Sequence, residues 1–578
     1  MTIAESPIVR GLEGLAEDVE GVRERWKVPG LSIAVVKDGQ MVMSDGFGFR
    51  DLDQKLPVTT KTVFAIGSST KAFTTMALGT LVDEGKLDWD APVRQYIPWF
   101  QLHDPMASER ISVRDLVTHR SGLPRYDMLW YNNTTETREE LIRRLRYLPP
   151  SADFRTVFQY QNLMYLTAGY LAGELAGSNW ETAVRDRILD PLGMSSANFS
   201  VRDSQASHDF ALPYSDTKGE FKQINFRNID LVGPAGSINA NVEDMAKWAL
   251  LHLNRGKHGD RQIVSETQVA EMHRTQMWMQ APYLPVEEAS HGSYGLAWFI
   301  ESYNGDTVIH HGGAIDGFLG VVGFVPKHNI GVVVQTNLGG SPVPFLVMYN
   351  ILDRLRGRTP SALEPQVRKI YDEAREALDK GGDRSEEDRV KDTHPSHALS
   401  DYTGSYANAG LGTVTIASDA AGLTYTFHDE TFSLKHYHYD VFDFREEIFG
   451  VRFPVNFRTG VAGDIDSLVI ALETAMPPQE FLRTVDPTLA SREFLRQFVG
   501  EYEIMSRIAT VSLENENLLA LNLPGQPRHE LEPHRGSEFK IKGLDGFRVE
   551  FKLDAAGEVT HAVLIQPMGV FEAKRMRD

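Results

Sequence analysis

Two groups of β-branched runs stand at opposite ends of the first 360 residues, and that separation constrains the fold more than any other feature. LSIAVVKDGQMVMSDGFG (31–48) reads as a hairpin, two strands around Asp38-Gly39, a dipeptide suited to a tight turn. Strand character returns at TVIHHGG (307–313) and FLGVVGFVPKHNIGVVVQTN (318–337), where two runs flank a Pro-Lys-His-Asn turn. The two groups are expected to meet in one antiparallel sheet, which makes the residues between them an insertion. Helical spacing at 8–26 (Ile8, Leu12, Leu15, Val19, Val22) and a helix at 343–357 supply covers for that sheet. The insertion itself is mostly helical, with patterns at 137–147, 162–176, 180–190 and 242–254. FAIGSSTKAFTTMALGTLVDEGK (64–86) reads as a helix opening near Ser68, with Phe73, Met76, Ala77 and Leu81 on one face and Gly85 as its stop.

The rest of the chain has a different texture. Residues 362–395 are rich in charge and mark a boundary, either a solvated helix or a linker. Beyond them lies a weak repeat. ALSDYTGSYANAGLGTVTI (398–416) resembles FLRQFVGEYEIMSRIATVSL (494–513), with Tyr402-x-Gly404-x-Tyr406 matching Phe498-x-Gly500-x-Tyr502. Each copy opens a series of alternating strands, so two similar small β-barrels are the economical reading. The expected organisation is an α+β domain over 1–360, a charged linker over 361–395, and all-β antiparallel barrels over 396–488 and 489–578.

Net charge is −20, which argues against nucleic acid or an anionic membrane surface as partner, because both need clustered Lys and Arg. There is no cysteine, hence no disulfide, thiol nucleophile or thiolate metal site. The first residues show no basic and apolar leader, and no apolar run approaches a membrane span, so a cytoplasmic location is expected.

Three short patterns carry chemistry. Ser68-Ser-Thr-Lys71 is an S-x-x-K at a predicted helix start, and Lys71 projects on the same face as Ser68. A serine hydroxyl needs a base within hydrogen-bond reach, and a desolvated lysine can be that base. The ordinary reading is an N-cap serine with a solvated lysine. Tyr160-x-Asn162 directly precedes the strong helical pattern LMYLTAGYLAGELAG, where the ordinary reading is a packed tyrosine and an asparagine cap. A phenol near a lysine can relay a proton, and Asn162 can hold both Lys71 and substrate. His311-x-Gly313 ends a predicted strand, where the glycine would let a substrate's backbone lie close along it, and His310-x-Gly312 fits the same pattern. Each pattern recurs elsewhere by chance, as at Ser215/Lys218, Ser537/Lys540 and Tyr131/Asn133, so none is decisive alone. No G-x-S-x-G elbow, H-E-x-x-H zinc motif or phosphate-binding loop is present, and no metal or organic cofactor is implied.

Their order and flanks are informative. VPGLSIAVVKDG (28–39), LVDEGKLDWDAPVRQYIP (81–98), LVTHRSGLP (116–124), YQNLMYLTAGYLAGELAG (160–177), PLGM (191–194), GPAGSINANVEDMAKWA (233–249), YGLAW (294–298) and HHGGAIDGF (310–318) resemble, in order, segments of the penicillin-recognising serine hydrolases. That family includes class C β-lactamases, D-alanyl-D-alanine carboxypeptidases, D-aminopeptidases and related esterases. The resemblance implies a β-lactamase-like fold over about residues 8–355. It implies Ser68 as nucleophile, Lys71 as base or proton shuttle, Tyr160 as partner acid/base and Asn162 as the group orienting Lys71 and substrate. Alignment on Gly317-Phe318 selects His311 and Gly313 as the third element, and the backbone amides of Ser68 and Ala314 as the oxyanion hole. Many family members carry a lysine where this chain has His311, and the histidine version leans towards aminopeptidases and esterases.

The tail resembles that of D-aminopeptidases, where two eight-stranded lipocalin-like barrels follow the catalytic domain. In those enzymes a loop of the first barrel limits the site, and KHYHYDVFDF (435–444) is the candidate here, although such an aromatic stripe is more often barrel core. The expected function is hydrolysis of amide or ester bonds through an acyl-enzyme, of the D-aminopeptidase type, on a small-molecule or short-peptide substrate. A promiscuous carboxylesterase or weak β-lactamase is the alternative, and a penicillin-binding sensor or inactive binding module the non-enzyme one. A homodimer is an assembly open to it.

Overall fold

The structure is a computed structural model that describes residues 11–576, apart from 218–219, 361–362, 447–450, 462, 516 and 545. It divides into two compact units. One comprises the residues up to Glu387 together with Leu472–Pro477, and the other comprises Asp388–Glu446, Val451–Ala471 and the chain from Pro478.

The first unit is built on a nine-stranded sheet. Its strands are β1 (Gly30–Lys37), β2 (Gln40–Asp51), β3 (Leu56–Pro57), β4 (Met277–Trp278), β5 (Ala289–Tyr294), β6 (Phe299–Tyr303), β7 (Asp306–Ile315), β8 (Phe318–Val325) and β9 (Ile330–Thr336). They lie in the order β4-β5-β6-β7-β8-β9-β1-β2-β3, each antiparallel to its neighbour. The hairpin at the start of the chain therefore joins the late strands through the β1–β9 pair, where Leu31 faces Thr336 and Lys37 faces Ile330.

β1 and β9 are buried on both faces, which is why they read as continuous apolar runs rather than alternating ones. Helices α1 (Leu15–Arg25) and α5 (Val343–Leu355) pack together on one side, and α4 (Val242–Leu253) packs on β1 and β9. The insertion places α2 (Thr70–Asp83) against α3 (Asn162–Ala176). The predicted helix over 180–190 is interrupted: Trp180–Val184 is α-helical, and Arg185–Leu189 continues it as a π-turn.

The charge-rich stretch is a helix, α6 (Leu363–Glu387), and it belongs to the first unit. Leu363 and Val367 are buried with the sheet's core, and the Arg368 guanidinium lies 3.5 Å over the Trp26 ring. Its first turns are thus docked on the sheet's core rather than solvated on every side.

The second unit holds two closed barrels of eight antiparallel strands each, from Gly404–Asn408 to Gln479–Thr484 and from Gly500–Ile504 to Gly569–Arg575. The repeat marks the same construction in both. The Tyr406 hydroxyl donates to the Tyr402 carbonyl at 2.7 Å, and that of Tyr502 to the Phe498 carbonyl at 2.8 Å. Gly404 (φ +139°) and Gly500 (φ +156°) leave room for an arginine of the last strand, Arg483 and Arg575 respectively. The candidate gating stretch 435–444 forms adjacent strands of the first barrel, with Tyr437, Phe442 and Phe444 buried. The aromatic stripe is barrel core, and this corrects the expectation of a loop there.

Candidate active site

Ser68 sits in a single 3-10 turn, Gly67–Ser69, that runs directly into α2. Neither helix start there uses a side-chain cap, so the Ser68 hydroxyl is not occupied as an N-cap. Lys71, one turn on, is completely buried. Its Nζ lies 3.0 Å from Ser68 Oγ, 2.8 Å from Asn162 Oδ1 and 2.7 Å from the Ala235 carbonyl oxygen. Two of these partners can only accept. A neutral amine has two N–H groups for them, which leaves its lone pair facing the serine hydroxyl. Burial holds the Lys71 amine well below the ordinary lysine range, the Arg125 guanidinium pushes the same way, and the Asp127 carboxylate opposes them.

Asn162 opens α3 without capping it. The cap is Gln161, whose side-chain oxygen accepts from Leu163 N at 2.7 Å, and this frees the neighbouring amide. Asn162 Nδ2 donates to Asp127 Oδ1 at 2.9 Å, which turns Oδ1 of Asn162 towards Lys71. Asp127 is held in turn by Trp130 Nε1 (2.9 Å) and Arg125 Nε (2.5 Å).

Burial raises the Tyr160 phenol well above the ordinary tyrosine range, and the neighbouring Ser68 side chain pulls it the other way. Lys71 Nζ is 4.8 Å from the centre of its ring, and the Arg125 guanidinium is 5.2 Å from it. The phenol thus stays protonated between two nitrogenous side chains.

The end of β7 completes the site. A Cβ at Gly313 would lie 1.8 Å from Ile66 O and 2.8 Å from Ser68 N, and one at Gly67 would lie 2.7 Å from Ala314 N. Glycine at both positions lets the strand lie against the nucleophile's turn and brings the Ser68 and Ala314 backbone amides together. At Gly313 the first demand for glycine comes from the protein's own turn rather than from a substrate. Ser69 Oγ donates to the His311 carbonyl at 3.0 Å and ties the same two pieces.

His310 and His311 point to opposite faces of β7. His310 Nε2 lies 3.2 Å from Glu301, among Phe299, Tyr283 and Phe345. His311 is on the side of Tyr160, with ring centres 6.4 Å apart. Its Nδ1 meets the Gly312 carbonyl at 2.6 Å, so that nitrogen carries the proton, and Nε2 accepts from the Tyr294 hydroxyl at 3.1 Å. Burial holds this imidazole well below the ordinary histidine range, and a proton on Lys71 would push it the same way. His311 is therefore a fixed neutral tautomer, with both ring nitrogens engaged by the protein.

The structure thus brings together Ser68, Lys71, Tyr160, Asn162, His311, Gly313 and Ala314, while the chance S-x-x-K at Ser537 lies in a strand-turn of the second barrel and that at Ser215 runs into Lys218, outside the described residues. Sequence reasoning did not single out Arg125, Asp127, Tyr294 or the Ala235 carbonyl. Tyr294 and Ala235 lie in segments that resemble the family, YGLAW and GPAGS, but nothing in their residue types signals a part in the site. Glu473 had no signal either. It lies in Leu472–Pro477, accepts from Tyr126 N at 2.6 Å and Ala475 N at 2.9 Å, and so buttresses the backbone next to Arg125 and Asp127. An open groove of about 690 Å³, lined by Thr80, Asp83, Arg187 and Ser265 among others, lies at the other end of α2 and includes none of the site residues.

Residues 18–353 match the family described as Beta-lactamase, and residues 388–484, which contain the first barrel, match a domain of unknown function, DUF3471. The chain is 31% identical over 357 residues to "Unguisins hydrolase ungD'" of Aspergillus campestris, covering 59% of this chain and 65% of that protein. It is 26% identical over 340 residues to "Protein flp" of Staphylococcus aureus, covering 57% and 64%. The matched region thus spans just under two thirds of each relative's length. Among solved structures, an octameric penicillin-binding protein homologue from Pyrococcus abyssi superposes with a TM-score of 0.52 at 23% identity, covering 81% of this chain and 99% of that one.

Proposed function

The chain belongs to the beta-lactamase family, whose match takes in more than half its length, and from that premise we propose that it hydrolyses amide or ester bonds through an acyl-enzyme on Ser68. The observation that carries this reading is the Lys71 amine, buried, held by two acceptors and left with its third position on the Ser68 hydroxyl.

The geometry supports the following proposed steps. Neutral Lys71 takes the proton of Ser68 as Oγ bonds to the substrate's carbonyl carbon. The negative charge that develops on the carbonyl oxygen faces the Ser68 and Ala314 amides. Tyr160, kept protonated by burial, gives its proton to the leaving nitrogen or oxygen as that bond breaks, and Lys71 returns a proton to the cluster. Water then attacks the ester on Ser68, the same groups take its proton, and Ser68 is released with its own.

His311, neutral and internally bonded, offers no fixed cation where many family members present a lysine. That supports peptidase, amidase or esterase chemistry over strong β-lactamase action. The two barrels and their resemblance to the D-aminopeptidase tail put short peptides or amides with a small N-terminal D-residue first. Incubation with D-alanine p-nitroanilide, p-nitrophenyl acetate and nitrocefin, with mass analysis of the Ser68 peptide, tests this. Turnover of the anilide with an acyl adduct on Ser68 is expected. Turnover by Ser68→Ala equal to that of the parent defeats the proposal, and preference for the acetate over the anilide shifts it to an esterase.

A further inference from the structure

His119 is tightly held beside the site, and the proposed catalytic steps do not use it. It lies in LVTHRSGLP, is completely buried, and has a left-handed backbone (φ +56°), which is uncommon for a residue with a side chain. That conformation turns two acceptors of one residue towards a single short stretch. The His119 carbonyl accepts from Gln159 N at 2.8 Å, and its Nδ1 accepts from Gln161 N at 3.0 Å. The residue between those two amides is Tyr160. The imidazole also packs on the Tyr160 ring, with centres 4.2 Å apart and planes at 31°.

The surrounding contacts extend the same scaffold. Arg120 O accepts from Arg155 N, Gly122 O from Ser151 N, and Pro124 O from Gln161 Nε2, so 119–124 serves as a template for 151–161. A backbone N–H can only donate, so Nδ1 of His119 is unprotonated and the ring's proton resides on Nε2. Nε2 has no hydrogen-bond partner among the described residues and lies in a box of Phe158, Tyr165 and Tyr294 rings. Lys71, His311 and Arg125 are the charged or titratable groups that disfavour a second proton there, as burial does.

We infer that His119 is the positioning residue for Tyr160: it pins the backbone on both sides of the phenol and stacks its ring, so that the hydroxyl stays on Ser68. A neutral imidazole does this without adding a cation beside Lys71. The inference rests on the serine-hydrolase reading of the site.

The test compares His119→Phe, which keeps a stacking ring and loses the acceptor, with His119→Asn, which keeps an acceptor and loses the ring. Both are measured on the full chain with an acyl anilide, beside Ser68→Ala. We expect kcat to fall by about 100-fold in His119→Phe with KM changed less than threefold, a smaller loss in His119→Asn, and movement of the alkaline limb of the pH profile in both. A ¹⁵N-histidine spectrum of the unaltered protein is expected to show one ring with its proton on Nε2 that does not titrate between pH 5 and 8. If both variants keep the parent's kcat and pH profile, or if that ring titrates normally, the positioning role is overturned. A fully active Ser68→Ala would instead overturn the reading beneath it.

Discussion

Buried tyrosines serve opposite ends in the two units. In the barrels, Tyr406 and Tyr502 donate to a carbonyl four residues back, a bond repeated in both copies that closes the strand opening. Around Ser68, the Tyr160 hydroxyl meets a serine and that of Tyr294 meets an imidazole. Burial raises the phenol in all four cases. A tyrosine bonded to a carbonyl has nowhere to send its proton. Tyr160, beside the proposed nucleophile, is placed to pass a proton on, whereas Tyr294 holds the fixed tautomer of His311. The partner, not the burial, separates architecture from chemistry.

Substitutions can break or sharpen that contrast. Lys71→Ala removes the proposed base and leaves Asn162 Oδ1 and Ala235 O without the Lys71 donor. Turnover is expected to fall by about 10⁴-fold, read as the rate of Ser68 acylation. Tyr160→Phe keeps the ring and removes only the hydroxyl. A loss of about 100-fold is expected, larger for anilides than for activated esters whose leaving group needs no proton. Equal losses on both substrates would mean that the phenol does not serve the leaving group.

Arg125→Gln tests the electrostatics. Lys71 must be unprotonated to accept the serine proton, so activity is lost as pH falls through its pKa. Burial and the Arg125 charge both hold that pKa down. Removing the charge raises it, and the acid limb of kcat/KM is expected to move to higher pH. An unmoved limb would mean that burial alone sets it.

Tyr406→Phe in the first barrel is the counterpart. It takes one donor from the Tyr402 carbonyl and is expected to cost about 1 kcal/mol of barrel stability, seen as a lower denaturant midpoint, with turnover unchanged.

Some of this was legible beforehand. Ser68, Lys71, Tyr160 and Asn162 could be named because their short patterns stand beside strong helical runs and, with their flanks, resemble segments of the serine-hydrolase family in order. The repeat at Tyr402 and Phe498 was visible because the same local bond recurs at the same spacing. The aromatic stretch at 435–444 misled because alternating aromatic residues look alike in a loop and in a barrel wall. Asp127 was invisible because an acidic residue in an irregular segment carries no periodicity, and its importance comes from facing Asn162 across 35 positions of chain.

Local patterns in the chain determined where the helices open, which runs become strands and where the barrels begin, since these depend on side chains a few residues apart. Folding in three dimensions decided which nitrogen of His311 holds its proton, which carbonyl restrains Lys71 and why residue 313 must lack a side chain. Those depend on atoms far apart in sequence, where burial and distance set the energy and no short-range pattern records them.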